Sequence, residues 1–285
     1  MIELTSIQTW LQGAGYCDIA DVVPVAGGSI NRTAVISLVD GTSMFVKQHH
    51  NPPERFFDAE ADGLDALNEL CSLRVPLVVH ADREFLLLEN LGCGPESRHF
   101  WVRLGEGLAE LHGKPQSNFG FRRDNYCGRT LQKNPPMQNG FEFFARHRLL
   151  HLASVAQRNG VLPGAYHRKI EYIATHLDQL LPSADPALIH GDLWSGNVHC
   201  DLKGQPALVD PACYWGWAEA ELAMTTLFGE FPAEFYSSYE ANYPIENDWR
   251  ERAAIYNLYH LLNHLILFGE SYLIQIKTAI KRFSN

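Results

Sequence analysis

The stretch His190-Gly191-Asp192-Leu193-Trp194-Ser195-Gly196-Asn197 sets a carboxylate and a carboxamide five residues apart. Thirteen residues beyond Asn197, the apolar run Ala207-Leu208-Val209 ends at a second carboxylate, Asp210, followed by Pro211-Ala212. This order and spacing match the phosphoryl-transfer loop pattern H-R-D-L-x-x-x-N, with Gly191 where the pattern has arginine. In phosphoryl transfer the protein supplies little covalent chemistry; it positions groups and neutralises charge. On this reading Asp192 accepts the proton of an attacking hydroxyl. Asn197 and Asp210 supply hard oxygen ligands to Mg2+ ions that bridge the phosphates of ATP. Either fragment alone would describe an ordinary turn. Both together, in order and at matching spacing, set that reading aside.

The same chemistry makes a demand on the other half of the chain. A lysine on the third strand and a glutamate in the following helix must pair to orient the lysine toward the α- and β-phosphates. Phe45-Val46-Lys47 ends an apolar run, and Glu60 lies thirteen residues on. Glu60 shares a helical face with Phe57, Leu64 and Leu67, where an unpaired carboxylate is costly. A Lys47–Glu60 ion pair removes that cost. The glycine turn Gly27-Gly28-Ser29 precedes this strand and is placed to cover phosphates. No G-x-x-x-x-G-K-[ST] run is present, so the turn is not a P-loop. Leu86-Leu87-Leu88-Glu89-Asn90-Leu91 would join the two halves, with backbone groups near Glu89 and Leu91 reaching the adenine edge, as the kinase pattern implies.

The elements that must position these groups fall into two textures. A short amphipathic helix over 4–14 precedes strands at 21–25, 33–39 and 42–47, the last two joined by the hairpin signal Asp40-Gly41. A helix over 53–71 and strands at 75–80 and 84–89 complete a β-rich first part. After a hinge near 89–92 the chain turns helical: 97–112, then a long loop over 114–139. Helices follow at 140–159, 166–181, 219–229, 232–242 and 248–268, with one more toward the C-terminus. Only 188–189 and 207–210 read as short strands there. The expected fold is α+β and bilobal, protein-kinase-like, with an N-terminal lobe over 1–91 and a helical C-terminal lobe over 92–285.

Composition narrows the partners. With 33 acidic against 23 basic residues, the net charge is −10. That argues against nucleic acid, which needs a basic stripe, and against an anionic membrane surface. No apolar run is long enough for a membrane-spanning helix, and no secretory signal opens the chain. Six scattered cysteines without a C-x-x-C suggest reduced thiols in the cytoplasm. His147 and His151, an i, i+4 pair, would suit a metal on one helical face, but a structural role is the stronger reading. The sequence assigns no oligomeric state.

His-Gly-Asp-Leu-Trp-Ser-Gly-Asn at 190–197 resembles the fructosamine kinase (ketosamine 3-kinase) family. The resemblance continues through Val209-Asp210-Pro211-Ala212-Cys213-Tyr214-Trp215-Gly216, Glu219-Ala220-Glu221-Leu222-Ala223-Met224 and Leu227-Phe228-Gly229. It extends to Leu258-Tyr259-His260-Leu261-Leu262-Asn263-His264 with Phe268-Gly269, and upstream to Gly27-Gly28-Ser29-Ile30-Asn31 and Phe119-Gly120-Phe121. It implies ATP-dependent phosphorylation of the 3-hydroxyl of a small-molecule or protein-bound ketosamine, a repair of glycation. The runner-up is an aminoglycoside- or choline-type phosphotransferase acting on another hydroxyl. Trp194 could stack on the sugar or pack the loop. Asn263 and His264 could line the pocket or form a core hydrogen-bonded pair, and Trp215 and Trp217 could flank it or pack elsewhere. Two departures, Trp217-Ala218 where the family has histidine and a polar residue, and Glu221 for a frequent aspartate, are expected beside the sugar pocket. Some relatives carry a redox-active cysteine in the glycine turn; Ser29 stands at that position here.

Overall fold

Period-two alternation decides which way Lys47 points. The computed structural model describes residues 2–25 and 30–283. After helix α1 (Thr5–Gly13), the strands β1 (Ile19–Pro24), β2 (Arg32–Leu38), β3 (Ser43–Gln48), β4 (Val78–Ala81) and β5 (Phe85–Glu89) form an antiparallel sheet, ordered β1-β2-β3-β5-β4. Ala34, Ile36, Met44, Val46, Phe85 and Leu87 bury one face against Ile7 and Leu11 of α1. Phe45, Lys47, Leu86 and Leu88 therefore face the other way, and Lys47 stands opposite Leu86 in the β3–β5 register. That second face meets α2 (Phe56–Leu70), whose Phe57, Leu64 and Leu67 are fully buried. A one-residue slip of β3 would drive the ammonium into the core beneath α1.

The C-terminal part is helical: α3 (Phe100–His112), α4 (Gly140–Phe144), α5 (His151–Arg158), α6 (Gly164–Thr175), α7 (Leu177–Leu180), α8 (Ala218–Met224), α9 (Ala233–Asn242), α10 (Trp249–Phe268) and α11 (Leu273–Phe283). The stretch expected as one long loop over 114–139 contains a hairpin, β6 (Asn125–Cys127) and β7 (Thr130–Gln132), turning at Gly128 with φ +64°. Two further antiparallel pairs hold the segments that carry Asp192, Asn197 and Asp210. β8 (Ala187–Ile189) pairs with β11 (Tyr214–Gly216), and β9 (Val198–Cys200) pairs with β10 (Pro206–Leu208). The strand expected over 207–210 stops at Leu208, because Asp210 adopts a left-handed backbone at φ +56°. The helix expected over 219–229 ends at Met224, and Phe228 leaves it to face the cleft.

The helix expected over 140–159 is interrupted. Asn139 caps it by accepting the Glu142 amide at 3.0 Å, and a π-helical segment, Ala145–Leu150, separates α4 from α5. This wide turn breaks the i, i+4 register of His147 and His151, and no third ligand joins them among the described residues. It also carries Arg148 fully into the interior. Its guanidinium sits 3.9 Å from the Tyr214 ring centroid and 4.7 Å from that of Phe143, and donates to the Lys133 carbonyl and to Asn134 Oδ1. Asn134 bonds Asn125, Gln132 bonds Asn125 and the Ala212 carbonyl, and Tyr259 closes the network on Gln132. Arg148 is thus the cation of a buried polar network that fixes the β6–β7 hairpin beneath the segment after Asp210. Arg148→Leu should strand at least two buried acceptors and cost about 3 kcal/mol. Thermal unfolding by circular dichroism should then shift down by roughly 5–10 °C.

Candidate active site

A buried ammonium joins the lobes. Lys47 Nζ, on β3, binds both Glu60 Oε1 on α2 and Asp210 Oδ1 across the cleft. Burial by itself would lower the lysine's pKa, but the Asp210 and Glu60 carboxylates outweigh it and hold the ammonium charged. Glu60 moves up: burial leads, and Asp210 adds to it against the pull of Lys47. Helix α2 is pinned from below as well. An added Cβ on Gly63 would lie 3.3 Å from Pro211 Cγ and 3.5 Å from Cys213 Sγ. Asp62 pairs with Arg123 at 2.5 Å, and the Tyr126 hydroxyl donates to the Glu54 carbonyl at 2.9 Å.

The loop carrying Asp192 is held through its backbone. Glu221, buried on α8, accepts the amides of both His190 and Gly191. His190 Nε2 donates to the Val209 carbonyl at 2.8 Å, and the Ala212 amide donates to the His190 carbonyl at 2.8 Å. The Val209 amide donates to the Asn197 carbonyl at 3.1 Å. These bonds clamp both sides of Asp210 and sustain its left-handed backbone, which the following proline and the Cβ disfavour. They also explain the glycine that replaces arginine in the loop pattern. Gly191 sits at φ +80°, and a Cβ there would meet the Ala212 carbonyl oxygen at 2.2 Å.

Asp192 is 22% exposed at the base of a cleft of about 750 Å³ that also holds Lys47, Glu60, Asn197 and Asp210. Asn197 Nδ2 donates to the Asp192 carbonyl at 2.8 Å and approaches its Oδ2 at 3.3 Å. Burial, then the Asp210 charge, pushes the Asp192 carboxyl up to about 7. A proton acceptor matched to neutral pH is what general-base work favours. Three carboxylates share this cleft with one lysine, an excess of negative charge that a divalent cation would relieve. Asn197 Oδ1 and the Asp210 carboxylate, which is 52% exposed, are hard oxygen donors of the kind Mg2+ takes.

One wall of the cleft is aromatic. Phe228 lies 4.6 Å from the His264 ring and 6.3 Å from Trp194, and Tyr272 lies 5.1 Å from His264. Trp194 is 37% exposed, and its indole folds over Gly196, where a Cβ would meet the ring at 2.4 Å. His264 donates through Nδ1 to the His260 carbonyl, and Asn263 Nδ2 donates to the Cys127 carbonyl. Trp194, Asn263 and His264 all line the cleft; Trp215 does not. Trp215 belongs to β11, where its backbone exchanges two hydrogen bonds with Gly120. Trp217 and Glu221, expected beside the sugar pocket, likewise do not line this cleft. Trp217 is buried among Phe119, Phe141, Phe144 and Tyr256, and Glu221 lies under the catalytic loop. The Glu89 amide is taken by the Leu77 carbonyl and the Leu91 carbonyl by the Leu202 amide; both residues border a second cavity that shares no lining residue with the cleft. Gly27, Gly28 and Ser29 lie outside the described residues, while Ile30 and Asn31 after them line the cleft.

Asn125, Tyr126, Cys127, Phe228 and Tyr272 are further cleft residues, not expected there from the sequence. The two-residue Gly128-Arg129 connection was the available signal for the hairpin carrying three of them. Gly63→Leu should wedge α2 away from Pro211 and Cys213 and loosen the Lys47–Glu60 pair. Steady-state ADP release should show kcat/KM for ATP lowered by roughly tenfold, the cost of overpacking one such contact.

The family profile for fructosamine kinase matches residues 2–285. A probable ketoamine kinase of Synechocystis is 40% identical over 267 residues, covering 90% of this chain and 88% of that protein. A chloroplastic protein-ribulosamine 3-kinase of Oryza sativa subsp. japonica is 37% identical over 279 residues, covering 93% of this chain and 80% of that one. The crystal structure of a candidate fructosamine-3-kinase from Thermobifida fusca superposes with a TM-score of 0.88 at 31% identity, over 98% of both chains. An ADP-bound aminoglycoside phosphotransferase shares the fold alone, with a TM-score of 0.61 at 14% identity over 99% of this chain and 98% of that one. The chain belongs to the fructosamine kinase family.

Proposed function

We propose that this protein transfers the γ-phosphoryl group of ATP to the 3-hydroxyl of a ketosamine, a ribulosamine, erythrulosamine or fructosamine, free or protein-bound. The observation that carries this reading is the meeting of Lys47, Glu60, Asp210, Asn197 and Asp192 in one cleft beside the Trp194–Phe228–His264 wall. Asp192 takes the proton of the 3-hydroxyl as the new O–P bond forms and the bond to ADP breaks. Lys47, held by Glu60, anchors the α- and β-phosphates. Mg2+ held by Asn197 and Asp210 would supply the remaining positive charge. The aromatic wall offers ring faces to the sugar and to the amine that bears it, which as an ammonium gains from such faces. A sugar 3-phosphate of this kind sheds its amine, so the reaction removes glycation.

The setting follows from the same properties. Among the described residues no helix is long and apolar enough to cross a membrane. All six cysteines are unpaired, which suits a reducing cytoplasm. The net charge of −10 fits a cationic small substrate and neither nucleic acid nor anionic membrane.

Incubation with Mg-ATP and ribuloselysine, fructoselysine or kanamycin, followed by ADP release, tests the assignment. Turnover is expected on a ketosamine and should fall roughly a thousandfold in Asp192→Asn. Turnover on kanamycin alone would instead support the aminoglycoside-type reading. Asn197→Ala should abolish turnover on the same substrate; retained activity would remove Asn197 from the metal site.

A further inference from the structure

The floor of the cleft sets Asp192, the proposed proton acceptor, beside two side chains that phosphoryl transfer does not use. Cys127 on β6, Asp192 on its loop and His260 on α10 come from distant parts of the chain. Their sulfur, carboxylate oxygen and ring nitrogen nevertheless lie within 4.8 Å of one another. Asp192 divides its two oxygens: Oδ2 is 3.3 Å from Asn197 Nδ2, while Oδ1 is 3.9 Å from His260 Nδ1, beyond hydrogen-bond reach. His260 is 5% exposed and its Nδ1 has no hydrogen-bond partner. Asn263 Oδ1, on the amide whose nitrogen bonds the Cys127 carbonyl, is also buried without one. Buried polar atoms are nearly always satisfied, so unpartnered ones beside a thiol and a carboxylate point to a missing ligand.

We propose that Cys127, His260 and Asp192 form a three-ligand site for Zn2+, and that its occupation removes Asp192 from service as proton acceptor and stops the kinase. The ligand set decides the metal: thiolate and imidazole favour zinc over Mg2+, which is confined to oxygen donors. Cys127 and Asp192 line the cleft, so an ion has an entry path and its fourth position opens to the cleft. The gap between His260 and Asp192 has to close only slightly for both to reach one ion. When zinc takes the sulfur, the thiol proton passes to solvent. The inhibition rests on Asp192 being the base; the binding does not.

Co2+ titrated into metal-stripped enzyme without nucleotide reads the site directly. Wild type should develop the intense near-ultraviolet sulfur-to-cobalt charge-transfer band, Cys127→Ala and Cys127→Ser should lack it, and His260→Gln should weaken it. Zn2+ inhibition is then measured in excess Mg-ATP against each variant's own zinc-free rate. The half-inhibiting concentration should rise by roughly tenfold or more in the Cys127 and His260 variants. A cobalt band that survives both Cys127 substitutions, or never forms in active enzyme, would overturn the site. So would zinc inhibition unchanged by the variants, which would assign it to the Mg2+ ligands. A band that forms in a protein inactive on every ketosamine would leave the metal site standing and remove only the reading of the substrate.

Discussion

A lysine ammonium 3% exposed cannot remain charged without compensation, and this one is compensated from both lobes. Glu60 arrives on α2 and Asp210 from the far side of the cleft. The sheet has to present Lys47 on the face opposite α1, and α2 has to lie where Glu60 can reach it. The segment after Leu208 has to turn sharply enough to bring Asp210 forward. Each of these conditions recruits its own packing: the Ile7–Leu11 core on one side of the sheet, Gly63 against Pro211 and Cys213 on the other. Two parts of distinct texture are therefore tied together at one ammonium.

The second organising constraint is a backbone clamp. Glu221 takes two amides of the catalytic loop, and His190 ties that loop to the strand leading into Asp210. Both residues are buried, so these bonds form away from competing water, where an unmade bond would be costly. Asp192, Asn197 and Asp210 are consequently fixed relative to one another before any ligand arrives. That is the preorganisation that electrostatic catalysis requires.

Much of this was legible in the residues. The lysine ending the apolar run Phe45-Val46-Lys47 and the helical spacing of Phe57, Glu60, Leu64 and Leu67, taken with the kinase pattern, sufficed to pair Lys47 with Glu60, because both signals are local. The meeting of Asp192, Asn197 and Asp210 in one cleft was legible through fixed spacing. Contacts made by residues far apart in the chain were not. Glu221 lies thirty-one residues from the amide of His190 that it binds, and no local pattern distinguishes it from a pocket residue. Trp217 carries the same aromatic character as Trp194, yet the first is core and the second lines the cleft. The β6–β7 hairpin was obscured because each strand is three residues long, too short to show a period.

The π-helical segment between α4 and α5 has a consequence for how this chain can vary. A regular α-helix advances about 100° per residue. In the wide turn each residue advances less, so the six residues of Ala145–Leu150 cover about the angle that five α-helical residues would. Leu152, Ala153 and Ala156 of α5 therefore keep phase with α4 although one more residue is fitted between them. Removing one residue would restore regular geometry and leave the buried face of α5 in place; the change would fall on the turn itself, where Arg148 sits against Tyr214 and Phe143. The wide turn is thus the place where the chain absorbs an added residue without disturbing the faces on either side.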